Sequence, residues 1–143
     1  MKVQAYAKIN LCLDVCGRRP DGYHEVRMVM QQLALSDEIT LLPRNDGEIR
    51  MTMEPAMPGI PTDGRNLMVR AAELMQTCFE LRQGVDMHLV KRIPSQAGLA
   101  GGSADAAAVL RGMNRLFGAG LTEEELKALG LRLGADVPFC ITG

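Results

Sequence analysis

Between Val3 and Val15 every second residue is apolar. Val3, Ala5, Ala7, Ile9, Leu11, Leu13 and Val15 face one way, and Lys2, Gln4, Tyr6, Lys8, Asn10, Cys12 and Asp14 face the other. A period of two over this length predicts a long strand with one buried face. Such a strand needs a second layer to cover that face. Gly17-Arg18-Arg19-Pro20-Asp21-Gly22 reads as a turn, since Pro-Asp-Gly suits type I or II geometry. Two further strands are expected at 25–35 and 37–42, with a phase slip at Gln31-Gln32 that marks a bulge. Ile49, Met51 and Met53 give another short strand, and the Pro- and Gly-rich stretch 54–65 an irregular loop. A helix is expected over 66–80, and a strand from Val85 to near Ile93. A second helix follows the glycines near position 100, and Thr122-Glu123-Glu124-Glu125 opens a third as a capping box. Strands first and helices later indicate an α+β fold with a largely antiparallel sheet, because a Rossmann unit would alternate strand and helix from the start.

Composition narrows the function classes. The 143 residues suffice for one domain, 1–143. The net charge of −1 offers no basic field for nucleic acid or anionic lipid, and 3% aromatic residues make a poor stacking platform for single strands. No apolar run approaches the ~20 residues that span a membrane, and the N-terminus has no signal-peptide core. A cytoplasmic protein without nucleic-acid or membrane partners is expected. Cys12, Cys16, Cys78 and Cys140 lack metal-ligand spacing, and most are expected as buried thiols.

The stretch from Pro94 to Ala108 carries the chemistry. Gly98, Gly101 and Gly102 follow a strand, Ser103 stands at the helix start, and alanines continue the helix. Glycine permits positive φ and close approach. A helix start offers unpaired N–H groups and a partial positive charge, which together suit a phosphate. The alternative is a tight turn in which Gly101 and Gly102 only permit packing. A Gly-x-x-x-x-Gly-Lys-Ser/Thr loop is absent.

Other residues admit two readings each. Lys8 and Asn10 share the polar face of the first strand, either solvated or set over a reacting hydroxyl. Asp136, in Gly134-Ala135-Asp136-Val137-Pro138, is a turn residue or a proton acceptor. Asn66 is a helix N-cap or a pocket residue. Tyr23-His24 is packing or base recognition.

The pattern Pro94-x-x-x-Gly98-Leu99-x-Gly101-Gly102-Ser103 before an alanine-rich helix resembles the phosphate loop of the GHMP kinases. Ala7-Lys8-Ile9-Asn10-Leu11, Arg19-Pro20-Asp21-Gly22-Tyr23-His24 and Leu133-Gly134-Ala135-Asp136-Val137-Pro138-Phe139 resemble one branch of that family. It phosphorylates the 2-hydroxyl of 4-diphosphocytidyl-2-C-methyl-D-erythritol in the non-mevalonate isoprenoid pathway. The resemblance runs through essentially the whole chain. It implies a ribosomal protein S5 domain 2-like fold, ATP as phosphoryl donor and Mg²⁺ carried with it. Lys8 and Asp136 become the catalytic pair. Asn10, Tyr23, His24 and Met30 become substrate residues, Met30 standing where some relatives carry an aromatic. Asn66, Leu67, Lys91, Pro94, Ala97, Gly98, Leu99, Ala100, Gly101, Gly102 and Ser103 become ATP residues. Ala104 replaces a frequent second serine, so Ser103 is the hydroxyl left for a phosphate or the Mg²⁺; no fixed protein ligand to the metal is implied. Members of the family carry a C-terminal domain after the position of Gly143, so this chain alone is expected to be poorly active. Competing readings are a noncatalytic S5-like module that binds RNA or protein, and a GHMP kinase of mevalonate or homoserine.

Overall fold

The computed structural model describes residues 1–18, 22 and 24–142. Along the chain run β1 (Lys2–Arg18), β2 (His24–Arg44), β3 (Ile49–Glu54), α1 (Leu67–Cys78), β4 (Gly84–Val90), α2 (Gly101–Leu116), α3 (Glu123–Leu131) and α4 (Val137–Thr142). The strands form one sheet in the order β1-β2-β4-β3. β1 pairs antiparallel with β2, and β2 with β4, whereas β3 lies parallel to β4. The parallel pair is joined through α1, as a parallel connection requires a crossover. The expected α+β class with a mainly antiparallel sheet is the observed one.

The core lies between the sheet and the helices. Ile39, Leu41, Val85, Met87 and Leu89 face Met68, Met75, Leu110 and Met113. Alanines at 71, 72 and 106–108 are fully buried and let α1, α2 and the sheet approach closely. At Gly112 a Cβ would fall inside the van der Waals shell of Leu41 Cδ1, which is why α2 carries a glycine there.

Three expectations are corrected. Residues 24–44 form one strand, not two, because β2 absorbs its irregularity as a bulge. Tyr6 pairs with Ser36 and Lys8 with Gln32, so β2 spends extra residues between those pairs. Secondly, the apolar face of β1 is buried only at its start. Ala5 and Ala7 are in the core, but Leu11 and Val15 are each 61% exposed. β4 pairs only with Glu38–Arg44 of β2, so the rest of β1 and β2 extends as a two-stranded arm beyond the helical layer. Thirdly, Cys12, Cys16 and Cys78 are exposed and only Cys140 is buried. The first two sit on that arm, and Cys78 ends α1.

The capping box of α3 forms as expected: Thr122 accepts from the Glu125 N–H while the Glu125 carboxylate accepts from the Thr122 N–H. Helix α4 was not foreseen. Pro138 lies in its first turn, where a missing N–H costs nothing. Among the described residues no helix is long and apolar enough to cross a membrane.

Candidate functional site

The glycine segment between β4 and α2 takes positive φ at every second residue: Gln96 at 58°, Gly98 at 73° and Ala100 at 55°. Two of these are not glycine, and left-handed backbone at such residues is held by the surrounding fold rather than by preference. Alternation of this kind turns successive N–H groups toward one concavity, a nest for an anion. Ala100 caps α2 with its backbone only, and among the described residues no side chain bonds the first turn. The N–H groups of Gly101, Gly102 and Ser103 are therefore left for a ligand. The loop fits a phosphate.

β1 is tied to this loop. The Lys8 N–H donates to the Leu99 carbonyl at 3.1 Å. Its ammonium, on a side chain only 4% exposed, lies 3.3 Å from Asp136 Oδ2. It also donates to Asn10 Oδ1 at 3.0 Å, as expected of residues two apart on one strand face. The Asp136 side chain is 38% exposed, so the pair presents a carboxylate to solvent with a buried cation behind it. Arg111 braces the arrangement from below. Its guanidinium donates to the Gln4 carbonyl on β1 at 3.0 Å and to the Cys140 and Ile141 carbonyls of α4 at 3.2 and 3.1 Å. The strand bearing Lys8 and the helix that follows Asp136 thus share one clamp. Burial lowers the Arg111 pKa, and burial followed by the nearby Asp136 charge raises the Cys140 thiol to about 11.

On the other side of the loop lies a cleft of about 410 Å³. Ile60, Pro61, Leu67 and Leu89 give it apolar walls, and Asn66, Lys91, Pro94, Gly101 and Gly102 also line it. A larger hollow of about 570 Å³, lined by Lys2, Tyr6, Arg111 and Arg115 among others, contains none of the expected site residues. Asn66 takes both of its readings. It caps α1 by accepting from the Met68 N–H at 2.9 Å, donates to the Pro61 carbonyl at 2.7 Å, and still borders the cleft. Ala97, Gly98, Ala100 and Ser103 belong to the loop and the first turn of α2 without forming the cleft's walls.

Met30 and His24, two further substrate candidates, lie on the arm. Met30 pairs with Asn10 across the β1–β2 ladder, beside the Lys8–Asp136 pair. His24 pairs with Arg18 at the far end. Met30 stands six positions further along the strand, about 20 Å at the usual rise. Tyr23, with Arg19, Pro20 and Asp21, lies outside the described residues.

Two buried carboxylates were missed from the sequence. Asp37 is fully buried, and Asp105 is nearly so. Lys91 bridges them, paired to Asp37 and 3.1 Å from Asp105 Oδ2. Asp37 Oδ1 also accepts the N–H groups of Arg92 and Ile93, the latter at 2.8 Å. Asp105 Oδ1 has no hydrogen-bond partner among the described residues. Burial first, opposed by Lys91 and aided by Asp37, raises the Asp105 carboxyl to about 8. A signal was available: Asp37 is in phase with the core residues Ile39 and Leu41, and Asp105 stands among buried alanines. Among the described residues no three His, Cys, Asp or Glu side chains group as a metal site.

The family model for the GHMP kinases N terminal domain matches residues 66–143, more than half the chain. A 4-diphosphocytidyl-2-C-methyl-D-erythritol kinase from Brevibacillus brevis is 52% identical over 143 residues, covering 100% of this chain and 48% of the relative. One from Clostridium beijerinckii is 50% identical over 143 residues, with 100% and 50% covered. The chain thus spans about half the length of the curated relatives it matches. A crystal structure of 4-(cytidine 5'-diphospho)-2C-methyl-D-erythritol kinase superposes with a TM-score of 0.83 at 41% identity, over 100% of this chain and 49% of that one. A mevalonate kinase at 15% identity and TM-score 0.73 shares the fold. With more than half its length matched by the family model and with half-identical relatives, the chain belongs to the GHMP kinases.

Proposed function

We propose that this chain is the nucleotide-binding half of a kinase that uses ATP to phosphorylate the 2-hydroxyl of 4-diphosphocytidyl-2-C-methyl-D-erythritol in the cytoplasm. The observation that carries the reading is one meeting point. Lys8 Nζ lies 3.3 Å from Asp136 Oδ2, and the Lys8 N–H is bonded to Leu99 in the phosphate loop. Phosphoryl transfer needs positioned charge more than covalent help, and these elements provide it.

The nucleotide occupies the cleft with its base against Ile60, Pro61 and Leu67 and its phosphates on the N–H groups of the loop and of α2. When bound, MgATP would supply the phosphoryl group and the divalent charge, with Ser103 at the start of α2 as a hydroxyl for a phosphate or the Mg²⁺. An Asp136 oxygen takes the proton of the attacking hydroxyl. Lys8 places its positive charge beside that oxygen, and Asn10 holds the ammonium in place. The cytidine end reaches along the arm toward Met30 and His24. A second domain, matching the half of the relatives that this chain does not cover, closes over the site.

The test is an ATP-consumption assay with the diphosphocytidyl alcohol, run on the chain alone and on the chain joined to the uncovered half of the Brevibacillus relative. The joined protein is expected to turn over, and the chain alone only to bind MgATP weakly. Asp136→Asn in the joined protein should lower kcat on the order of 10²–10⁴-fold with little change in ATP affinity. Full turnover by Asp136→Asn, or a preference for mevalonate, would overturn the reading.

A further inference from the structure

Lys91 borders the cleft, yet its ammonium is not free for a ligand. Its side chain is 4% exposed, and it is engaged by Asp37 from β2 and Asp105 from α2. It lies directly under the first residue of α2, because a Cβ added at Gly101 would meet Lys91 Nζ at 2.8 Å. Asp37 does more than pair with it. The same carboxylate holds the Arg92 and Ile93 N–H groups, the last backbone before the phosphate loop. The Lys91 N–H is itself bonded to the Glu54 carbonyl of β3 at 2.8 Å. One cation therefore joins β2, β4 and α2 immediately behind the N–H groups that face the phosphates.

We propose that Asp37, acting through Lys91, is a positioning residue for the nucleotide: the buried Asp37–Lys91–Asp105 pin fixes where α2 begins and hence where its first N–H groups point. The proposal rests on the reading of the cleft as a nucleotide site. It differs from a role in which the Lys91 ammonium touches the nucleotide. Cutting Asp37 would release the cation and strengthen a direct contact, but it would loosen a pin. Asp37→Asn is the suitable cut, since the amide oxygen still accepts the two backbone N–H groups while the negative charge that faces the Lys91 ammonium is lost.

The experiment is calorimetric titration of the chain with MgATP, together with ¹⁵N–¹H spectra of the Gly101, Gly102 and Ser103 amides without nucleotide. Wild type, Asp37→Asn, Lys91→Met and the double variant are compared. Each single variant is expected to weaken MgATP on the order of tenfold to a hundredfold, the range for small misplacements of binding groups. The double variant should bind no more weakly than Lys91→Met, because both changes break one device. The three amide resonances should move in both single variants. If Asp37→Asn does not fold, Asp105→Ala removes the acceptor on the α2 side and should weaken MgATP to a similar degree. Wild-type affinity in Asp37→Asn with unmoved amides, or strictly additive losses, overturns the pin. Failure of the wild type to bind MgATP at all overturns the nucleotide reading and the proposal with it, an outcome distinct from binding that ignores Asp37.

Discussion

Replacing Gly101 by alanine sets two effects of opposite sign against each other. Gly101 opens α2 and its φ is not in the left-handed region, so alanine meets no backbone strain. Helix propensity alone would favour the change by up to about 1 kcal/mol. Against this, the new methyl would lie 2.8 Å from Lys91 Nζ and 3.1 Å from Ile93 Cγ2. A free lysine would swing aside at little cost. This one is held by Asp37 and Asp105 in the interior, so yielding means stretching a buried ion pair and a buried hydrogen bond or shifting the helix start. Overpacking of this kind costs about 1–3 kcal/mol. The net expectation is a loss of about 1–2 kcal/mol, or roughly 3–8 °C in Tm for a domain of this size. Gly102→Ala is the control, since its methyl would meet only Leu67 Cδ1 at an ordinary 3.7 Å. It should be neutral or stabilising by up to about 1 kcal/mol, yet bind MgATP less well because it narrows the cleft. Urea and thermal unfolding of the two variants decide the matter. Gly101→Ala as stable as Gly102→Ala would refute the argument that a fixed Lys91 ammonium occupies the space beneath Gly101.

Three further outcomes are expected. Asp105 is raised in the fold to about 8, above its ordinary value near 4, so folding favours its protonated form. Its contribution to stability is complete below about pH 4 and is lost as pH rises to about 8. Asp105→Asn should remove that component of the decline, on the order of several kcal/mol, when urea midpoints at pH 5 and 9 are compared with wild type. Arg111→Met removes three hydrogen bonds between α2, β1 and α4. It should cost about 2–4 kcal/mol in urea unfolding, with hydrogen exchange rising in α4. Thr122→Ala removes the α3 capping box and should cost about 1 kcal/mol, read as faster exchange at residues 123–126.

Much of the fold was legible because local periodicity reports backbone hydrogen bonding directly. The start of β1, the helices α1 and α2, the Thr122 cap and the glycine loop each follow from residue spacing and backbone preference. Periodicity does not say what lies opposite. The alternation through Leu11, Leu13 and Val15 continues unchanged where the structure offers no covering layer, so a buried face was expected and an exposed arm was found. Likewise the odd phase of Asp37 carries no mark of the partner that excuses its burial.

The sequence by itself determined that a one-sided sheet leads into a glycine loop and a helix start, since φ preference, helix caps and strand period act within a few residues. Only the tertiary structure decided that Lys8 and Asp136, from opposite ends of the chain, stand 3.3 Å apart beside that loop, and that one buried lysine anchors the helix behind it. Charges separated along the chain meet through the packing of α2 and α4 against β1, and the reach of any local pattern ends well short of that distance.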